Sequence, residues 1–418
     1  MTAAQQQSAW LECIRCHAKF PLAEIRYQCD CGGLLGCERP EGWGASLGPK
    51  VFDARLSVRS GLDASGVWRF REGVLDARPD EVVTHPEGGT RLYQRRALCD
   101  WAGIDQLHFK HEGENPTGSF KDRGMTVAMT QAKRLGSKAV ACASTGNTSA
   151  SLAAYAGQAG LKAVVFVPAG KVAVGKLAQT LAYGALTLQV RGDFDAAMDL
   201  VQKASAALGI YLVNSINPFR IEGQKTIVWE ILQDLGWQPP DWIAFPAGNL
   251  GNTSAFGKAL REAKAAGWIS KVPRLAAIQA HGANPFFRGY LEQFKTRHKV
   301  QAETVASAIR IGDPVSWERA RAAIEFANGV VSEVTDEELL VAKREIDRSG
   351  IGCEPASACS LAGARKLRGE GVIKPGESVV CILTGNVLKD PEVVTKHVPK
   401  EQLVEIDPTV AEVERALK

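Results

Sequence analysis

No stretch of this sequence approaches the ~18 uninterrupted apolar residues that a membrane-spanning helix needs, so no span is expected. It has no lysine- or arginine-rich run, and its net charge is only +4 over 418 residues. That is not the electrostatic footprint of a nucleic-acid binder. The opening residues MTAAQQQSAW carry neither a basic segment nor an apolar core. A secretory signal is therefore not expected, and a cytoplasmic protein is. Internal repeats and low-complexity tracts are missing as well. Of the ten cysteines, five (Cys99, Cys142, Cys353, Cys359, Cys381) stand singly in core-like segments. They read as buried thiols, not as a disulfide framework. What is present is an ordinary apolar fraction, 45%, on a chain long enough for two or three domains.

The segment Lys110–Gly124, KHEGENPTGSFKDRG, organises the rest. Turn formers (Asn115, Pro116, Gly118) precede Ser119, which reads as a helix N-cap. Met125, Ala128, Met129, Ala132 and Leu135 then recur at three and four residues, the helical period. Lys121 thus falls in the first turn of a helix, where the backbone already carries roughly half a positive charge. That field pushes the amine toward its neutral form. A neutral amine is nucleophilic and condenses with an aldehyde. By placement alone, Lys121 reads equally as a solvated lysine near a cap.

NPTGSFKDRG resembles the cofactor-lysine segment of the fold-type-II pyridoxal-phosphate enzymes, most closely that of the threonine synthase family. The resemblance implies that Lys121, beside Phe120, carries pyridoxal 5'-phosphate. Thr84–Gln94 (THPEGGTRLYQ) is similar to the family's entry segment, and Thr304–Pro314 (TVASAIRIGDP) to a later one. Residues 38–90 have weak periodicity and read as a linker and arm leading into the main body. Lys110 and His111 close the strand Gln106–Lys110 against the lysine loop. The resemblance makes Lys110 a substrate-binding candidate, while His111 reads as a solvated or satisfied histidine.

Residues 11–37 hold the other five cysteines. Cys13-x-x-Cys16 and Cys29-x-Cys31 form two close pairs about a dozen residues apart, with Gly32-Gly33 after the second. Two short turns facing each other are what a tetrahedral thiolate site needs, so the spacing reads as a small zinc ribbon. A reduced, metal-free hairpin stays open, with Cys37 and His17 as bystanders. Cys13-Ile14-Arg15-Cys16-His17 also spells a c-type haem attachment, which the missing secretory signal argues against. The module resembles the N-terminal ribbon of some threonine synthases, where its role is structural or regulatory.

After Lys121 strands and helices alternate, which predicts parallel sheets covered on both faces. Ligands in such sheets bind at the carboxyl edge of the strands. Ser144-Thr145-Gly146-Asn147-Thr148 lies at such an edge. Its hydroxyls (Ser144, Thr145, Thr148) suit a substrate carboxylate, and the resemblance gives Asn147 to the cofactor's phenolic oxygen. Asn214-Ser215-Ile216-Asn217-Pro218-Phe219-Arg220 opens a later helix. Arg220 offers a planar fork for an oxyanion, or for a surface ion pair. The segment is similar to the one that meets the substrate's phosphate in the family, with Asn214 and Ser215 beside Arg220. Strand Trp242–Ala247 runs into Gly248-Asn249-Leu250-Gly251-Asn252 and a helix. Such a loop binds phosphate through backbone amides or is a plain tight turn. It is not GxGxxG and no Lys-Ser/Thr follows, so neither a dinucleotide nor a nucleoside triphosphate is indicated. By resemblance it is the cradle for the cofactor's phosphate. Thr384, at the end of strand Ser378–Leu383, is implied to face the cofactor's ring nitrogen. Glu354, before Pro355, caps a helix or supports the site from behind. Pro408–Leu417 reads as an amphipathic surface helix.

The expectation is a two-domain fold-type-II α/β architecture with open, mostly parallel sheets and an N-terminal zinc-ribbon-like module. Residues 1–45 form the module, 46–111 with 215–400 the large cofactor domain, 112–214 the small α/β domain and 401–418 a C-terminal helix. The resemblance implies conversion of O-phospho-L-homoserine and water to L-threonine and phosphate, by a homodimer. Family positions at Leu250, Phe219 and His281 vary without touching an essential group. A threonine or serine dehydratase, or a cysteate synthase, is the nearest rival. A zinc-ribbon binding protein on an inactive scaffold is the rival from another class.

Overall fold

Three sheets make up the protein. A computed structural model describes residues 9–170, 174–397 and 403–417; the remaining ends of the expected module, large domain and tail lie outside the described residues. An antiparallel sheet of order β2-β1-β3 is built from β1 (Trp10–Cys13), β2 (Lys19–Pro21) and β3 (Leu35–Glu38). The large sheet has the order β12-β11-β10-β13-β5-β4. Its strands are β4 (Leu92–Tyr93), β5 (Leu107–His111), β10 (Trp242–Pro246), β11 (Arg274–Ala280), β12 (Val330–Val334) and β13 (Val379–Leu383). All its pairs are parallel except β4 with β5. The small sheet, order β8-β7-β6-β9, is wholly parallel: β6 (Ala139–Ala143), β7 (Lys162–Pro168), β8 (Leu186–Val190), β9 (Tyr211–Leu212).

The central strands β6, β7, β10 and β13 are nearly continuous apolar runs because both faces are covered. Side chains alternate across a strand, so each strand feeds two cores. Trp242, Ala244, Val379 and Cys381 enter one core, and Ile243, Phe245, Val380 and Ile382 the other. The small sheet divides likewise, with Val140 and Val165 on one side and Ala141 and Phe166 on the other. The Asn147–Ala159 and Phe194–Leu208 helices pack on this sheet. No helix among the described residues is long and apolar enough to cross a membrane.

The structure corrects the reading of residues 38–90. Phe52, Val67, Trp68 and Phe70 are fully buried. The Phe52 ring lies 4.9 Å from Phe70 and 5.0 Å from Trp268, and Trp68 donates to Thr126 at 2.8 Å. The segment is part of the large core. Its short 3-10 turns, Gly61–Ala64 and Trp68–Phe70, have neither the strand nor the helix period, so their apolar residues form no pattern. Ser119 is also reassigned. Phe120, in right-handed helical conformation, occupies the N-cap of the Lys121–Arg134 helix. Ser119 instead bridges to Gly385 beyond β13. The tail helix forms over Val410–Ala416, with Val410 86% and Leu417 82% exposed.

The three-stranded sheet is clamped to the large one by charge. Lys258 bonds the carbonyl of Cys37 and Arg319 that of Leu35, while Arg15 pairs with Glu318 at 2.6 Å. Behind them, buried Glu222 pairs with Arg39 (2.8 Å), Lys225 (2.6 Å) and Lys258 (2.9 Å).

Candidate active site

Lys121 is the first residue of its helix, directly after the carboxyl end of β5 and its loop. The loop is fixed locally. Asp122 accepts from Thr117 through both its backbone N–H (2.7 Å) and its hydroxyl (2.6 Å). Gly118, at φ +82°, makes the turn that other residues adopt only with strain. The loop is then stitched to the end of β13: Phe120 N–H donates to Thr384 O at 3.0 Å and Asn386 N–H to Gly118 O at 2.9 Å. The residue keeps some solvent contact, but its amine is enclosed by protein, 4.4 Å from the Phe120 ring. Desolvation, helped by Arg220 and opposed by Glu354, holds the amine down at about 7. Burial, more than the helix end, neutralises it.

Arg220 is 3% exposed. Its Nη1 donates to Val213 O at 3.2 Å and its Nε has no partner. Burial pulls its pKa down to about 10. Among the described residues no carboxylate pairs with it, so the surface ion-pair reading fails. A buried cation of this kind is costly unless an anion meets it.

Glu354 is fully enclosed and burial pushes its carboxyl up, against Asn147 and Thr384. Asn147 Nδ2 donates to its Oε2 at 2.8 Å and Thr384 Oγ1 to its Oε1 at 2.9 Å. Glu354 therefore joins the end of β6 to the end of β13. Ser357, which the sequence reading did not single out, lies 3.0 Å from the Thr384 hydroxyl and accepts from Gly385 N–H. Its signal was present: a small polar residue in the first turn of a Pro-started helix at a sheet edge.

The Gly248–Asn252 loop turns on Leu250, at φ +63°, into the Gly251–Ala265 helix. Gly248 is there because a Cβ would stand 3.0 Å from Ile309. First-turn N–H groups have no intrahelical acceptor. In that turn Asn252 Oδ1 and Thr253 Oγ1 are buried without partners, as is Ser119 Oγ on the lysine loop. Asn249 is tied on both sides, donating to Ser215 Oγ and accepting from Val315 N–H at 2.8 Å. Ser144, Thr145 and Thr148 remain half-buried at the end of β6.

Two expected substrate residues are engaged elsewhere. Lys110 is fully buried, with its amine on Asp234 (2.6 Å), Glu230 (3.3 Å) and Thr90 O (2.7 Å), so its charge is already matched. Asn214 gives both ends of its amide to the backbone of Ala143, each at 3.1 Å. It extends the pairing of β6 and shapes the loop that follows.

The four cysteines of the two close pairs come together. Their sulfurs all lie within 4.8 Å of one another, with Cys13–Cys31 at 3.4 Å and Cys16–Cys29 at 3.5 Å. Tetrahedral zinc thiolates place sulfurs roughly 3.8 Å apart, so the donor set fits a zinc ion. Cys37 is outside the cluster and His17 bonds Glu12.

Residues 83–385 match the family model for pyridoxal-phosphate dependent enzymes. The chain is 46% identical over 404 residues to a threonine synthase of Methanocaldococcus jannaschii, covering 95% of this chain and 97% of that one. It is 47% identical to a threonine synthase of Methanosarcina acetivorans, covering 92% and 93%. Among solved structures, threonine synthase from Escherichia coli superposes with a TM-score of 0.71 at 21% identity, over 97% of this chain and 94% of that one. A glycine-containing loop opening a helix, an enclosed amine with its pKa drawn down to about 7 and buried polar atoms without partners fit the cofactor of that family. The chain belongs to the pyridoxal-phosphate-dependent enzymes and, within them, to the threonine synthases.

Proposed function

We propose that the protein converts O-phospho-L-homoserine and water to L-threonine and phosphate, with the site residues acting as follows. The observation that supports the substrate is Arg220, a buried guanidinium that no carboxylate pairs with among the described residues. Two separate anion sites suit a phosphorylated cofactor and a phosphorylated substrate.

The Gly248–Asn252 loop and the helix it opens would hold the cofactor's phosphate, with Phe120, Asn147 and Thr384 around its ring. Pyridoxal phosphate, when bound, supplies an electron sink for the pair released at Cα. Lys121 Nζ, its pKa drawn down to about 7, takes the proton from the substrate's Cα and moves protons between Cα, Cβ and Cγ. Ser144, Thr145 and Thr148 hold the carboxylate. Arg220 and Ser215 hold the phosphate, which leaves Cγ with the electrons of its carbon–oxygen bond as the Cβ proton is removed; a proton is then delivered to Cγ, and water adds its hydroxyl at Cβ and gives its remaining proton to the released phosphate. Asn214 acts through Ala143 by fixing the carboxylate loop, and Lys110 has no part in binding.

Strands β4, β5 and β10–β13 against β6–β9 support the division into residues 46–111 with 215–400 and residues 112–214. Cys13, Cys16, Cys29 and Cys31 would hold a structural zinc. Ten cysteines without a disulfide suit a cytoplasmic protein. Exposed Leu181, Tyr183, Leu186 and Leu188 at the small sheet's edge support a homodimer, which sedimentation measures.

The test is Arg220→Ala, assayed by phosphate release and by the bound cofactor's absorbance. KM for O-phosphohomoserine should rise at least tenfold, the loss of one charge-assisted contact being about 1.5–3 kcal/mol, with absorbance retained. Unchanged kinetics would refute the phosphate role. Keto-acid formation without phosphate release would refute the reaction.

A further inference from the structure

The turn Val387–Lys389 follows β13 and lies on the lysine loop. Asn386 and Lys389 sit directly over Gly118: a Cβ there would be 3.1 Å from Lys389 Cε and 3.8 Å from its Nζ. The Lys389 amine is mostly enclosed, and its hydrogen-bond partner is the neutral amide of Gln179. Among the described residues no ion pair includes it. Burial depresses its pKa, while Asp122 and Glu354 act on it from farther away. Both of those carboxylates have their own donors, Thr117 for one and Asn147 with Thr384 for the other.

The sheet order decides which anion this cation faces. In β8-β7-β6-β9 the loop Ser144–Thr148 leaves the central strand β6. Arg220 follows β9, on one side of that loop. Gln179 belongs to the Val174–Ala182 helix that follows β7, on the other side. Among the described residues, two cations therefore flank the carboxylate loop, and O-phosphohomoserine carries its two anions at opposite ends. With phosphate at Arg220, the carboxylate lies on the Lys389 side. Hydroxyls and backbone N–H groups alone give it no counter-charge.

We propose that Lys389 leaves Gln179 and binds the α-carboxylate of the substrate, making it a determinant of specificity for amino acids. The proposal rests on the functional reading above. The test uses the holoenzyme and two ligands, O-phospho-L-homoserine and 3-aminopropyl phosphate, which has the same amine and phosphate but no carboxylate. Dissociation constants come from the change in cofactor absorbance. Lys389→Met should weaken the first ligand by roughly 10- to 100-fold, the range for a lost charge-assisted hydrogen bond, and the second by less than about twofold. Lys389→Arg should restore the preference. Lys389→Gln, polar and uncharged, repeats the comparison if the methionine variant does not accumulate. Equal weakening of both ligands, or of neither, overturns the role of Lys389 while leaving the reaction intact. Absence of phosphate release by the unaltered enzyme overturns the functional reading, and this proposal with it.

Discussion

Gly223→Ala tests how the Arg220 helix is held. The Pro218–Gln224 and Lys121–Arg134 helices meet at Gly223 and Gly124. A Cβ on Gly223 would lie 1.7 Å from the backbone oxygen of Arg123. That oxygen cannot rotate aside, and Arg123 is itself locked to Glu112 and Glu230, each at 2.6 Å. Restoring a tolerable 3.0 Å contact requires a displacement of about 1.3 Å, a strain of at least ~1–3 kcal/mol. The displaced helix carries Arg220, three residues earlier. Misplacing a binding group by ~1 Å costs on the order of 100-fold. We therefore expect kcat/KM for O-phosphohomoserine to fall about 100-fold, with the cofactor still bound. Gly157→Ala is the control, because nothing lies within 4 Å of its Cβ. As an interior helix glycine, it should gain about 0.5–1 kcal/mol. If Gly223→Ala matched this control in kcat/KM and urea midpoint, the helix-contact argument would be wrong.

Three further outcomes are expected. Glu222→Gln should cost roughly 3–5 kcal/mol in urea unfolding, as for any buried ion cluster losing one partner. Burial pushes the Glu222 carboxyl up, but Lys225, Lys258 and Arg39 outweigh it and hold it far below the usual range. Its stabilisation is thus present above about pH 4.3 and drains away as pH falls, so the variant's deficit should shrink in acid. In the cofactor-free protein, acylation of Lys121 followed by peptide mass spectrometry should be half-maximal near pH 7. The unfolded lysine keeps its proton up to about 10.4, so this group's contribution to stability rises with pH between those values; a half-point near 10 would show a solvated amine. Metal analysis should find one zinc per chain, lost in Cys16→Ser, and chelation should lower the thermal midpoint; a metal-free protein of equal stability would contradict the ribbon assignment.

The two parallel sheets were legible because their strands are short apolar runs separated by helical periods. Lys162–Pro168 is such a strand and Phe194–Leu208 such a helix. Periodicity failed where neither period operates. The 3-10 turns around Trp68 bury aromatics without any repeat, and so a core segment read as a linker. β12, Val330–Val334, went unnoticed because its apolar residues are interrupted by Ser332 and Glu333.

In the site, residue types and their neighbours were legible in order, as at Ser144–Thr148 and at Thr384, but the Val387–Lys389 turn over Gly118 was not. What sequence could not give was which polar atoms are already satisfied. Lys110 and Arg220 are both buried cations near substrate motifs. Only the fold shows that Asp234 and Glu230, more than a hundred residues away in sequence, match the first and leave the second bare. The same distinction separates Asn214, locked to Ala143, from Asn147, held by a carboxylate that joins two sheet edges. A binding residue is thus marked by a missing partner as well as by its chemistry, because an unmatched buried charge is costly until an anion meets it. Lys389 satisfies that criterion without belonging to any motif. If the criterion is sound, neutralising Lys110 should destabilise the protein and leave ligand preference alone, while neutralising Lys389 should do the reverse.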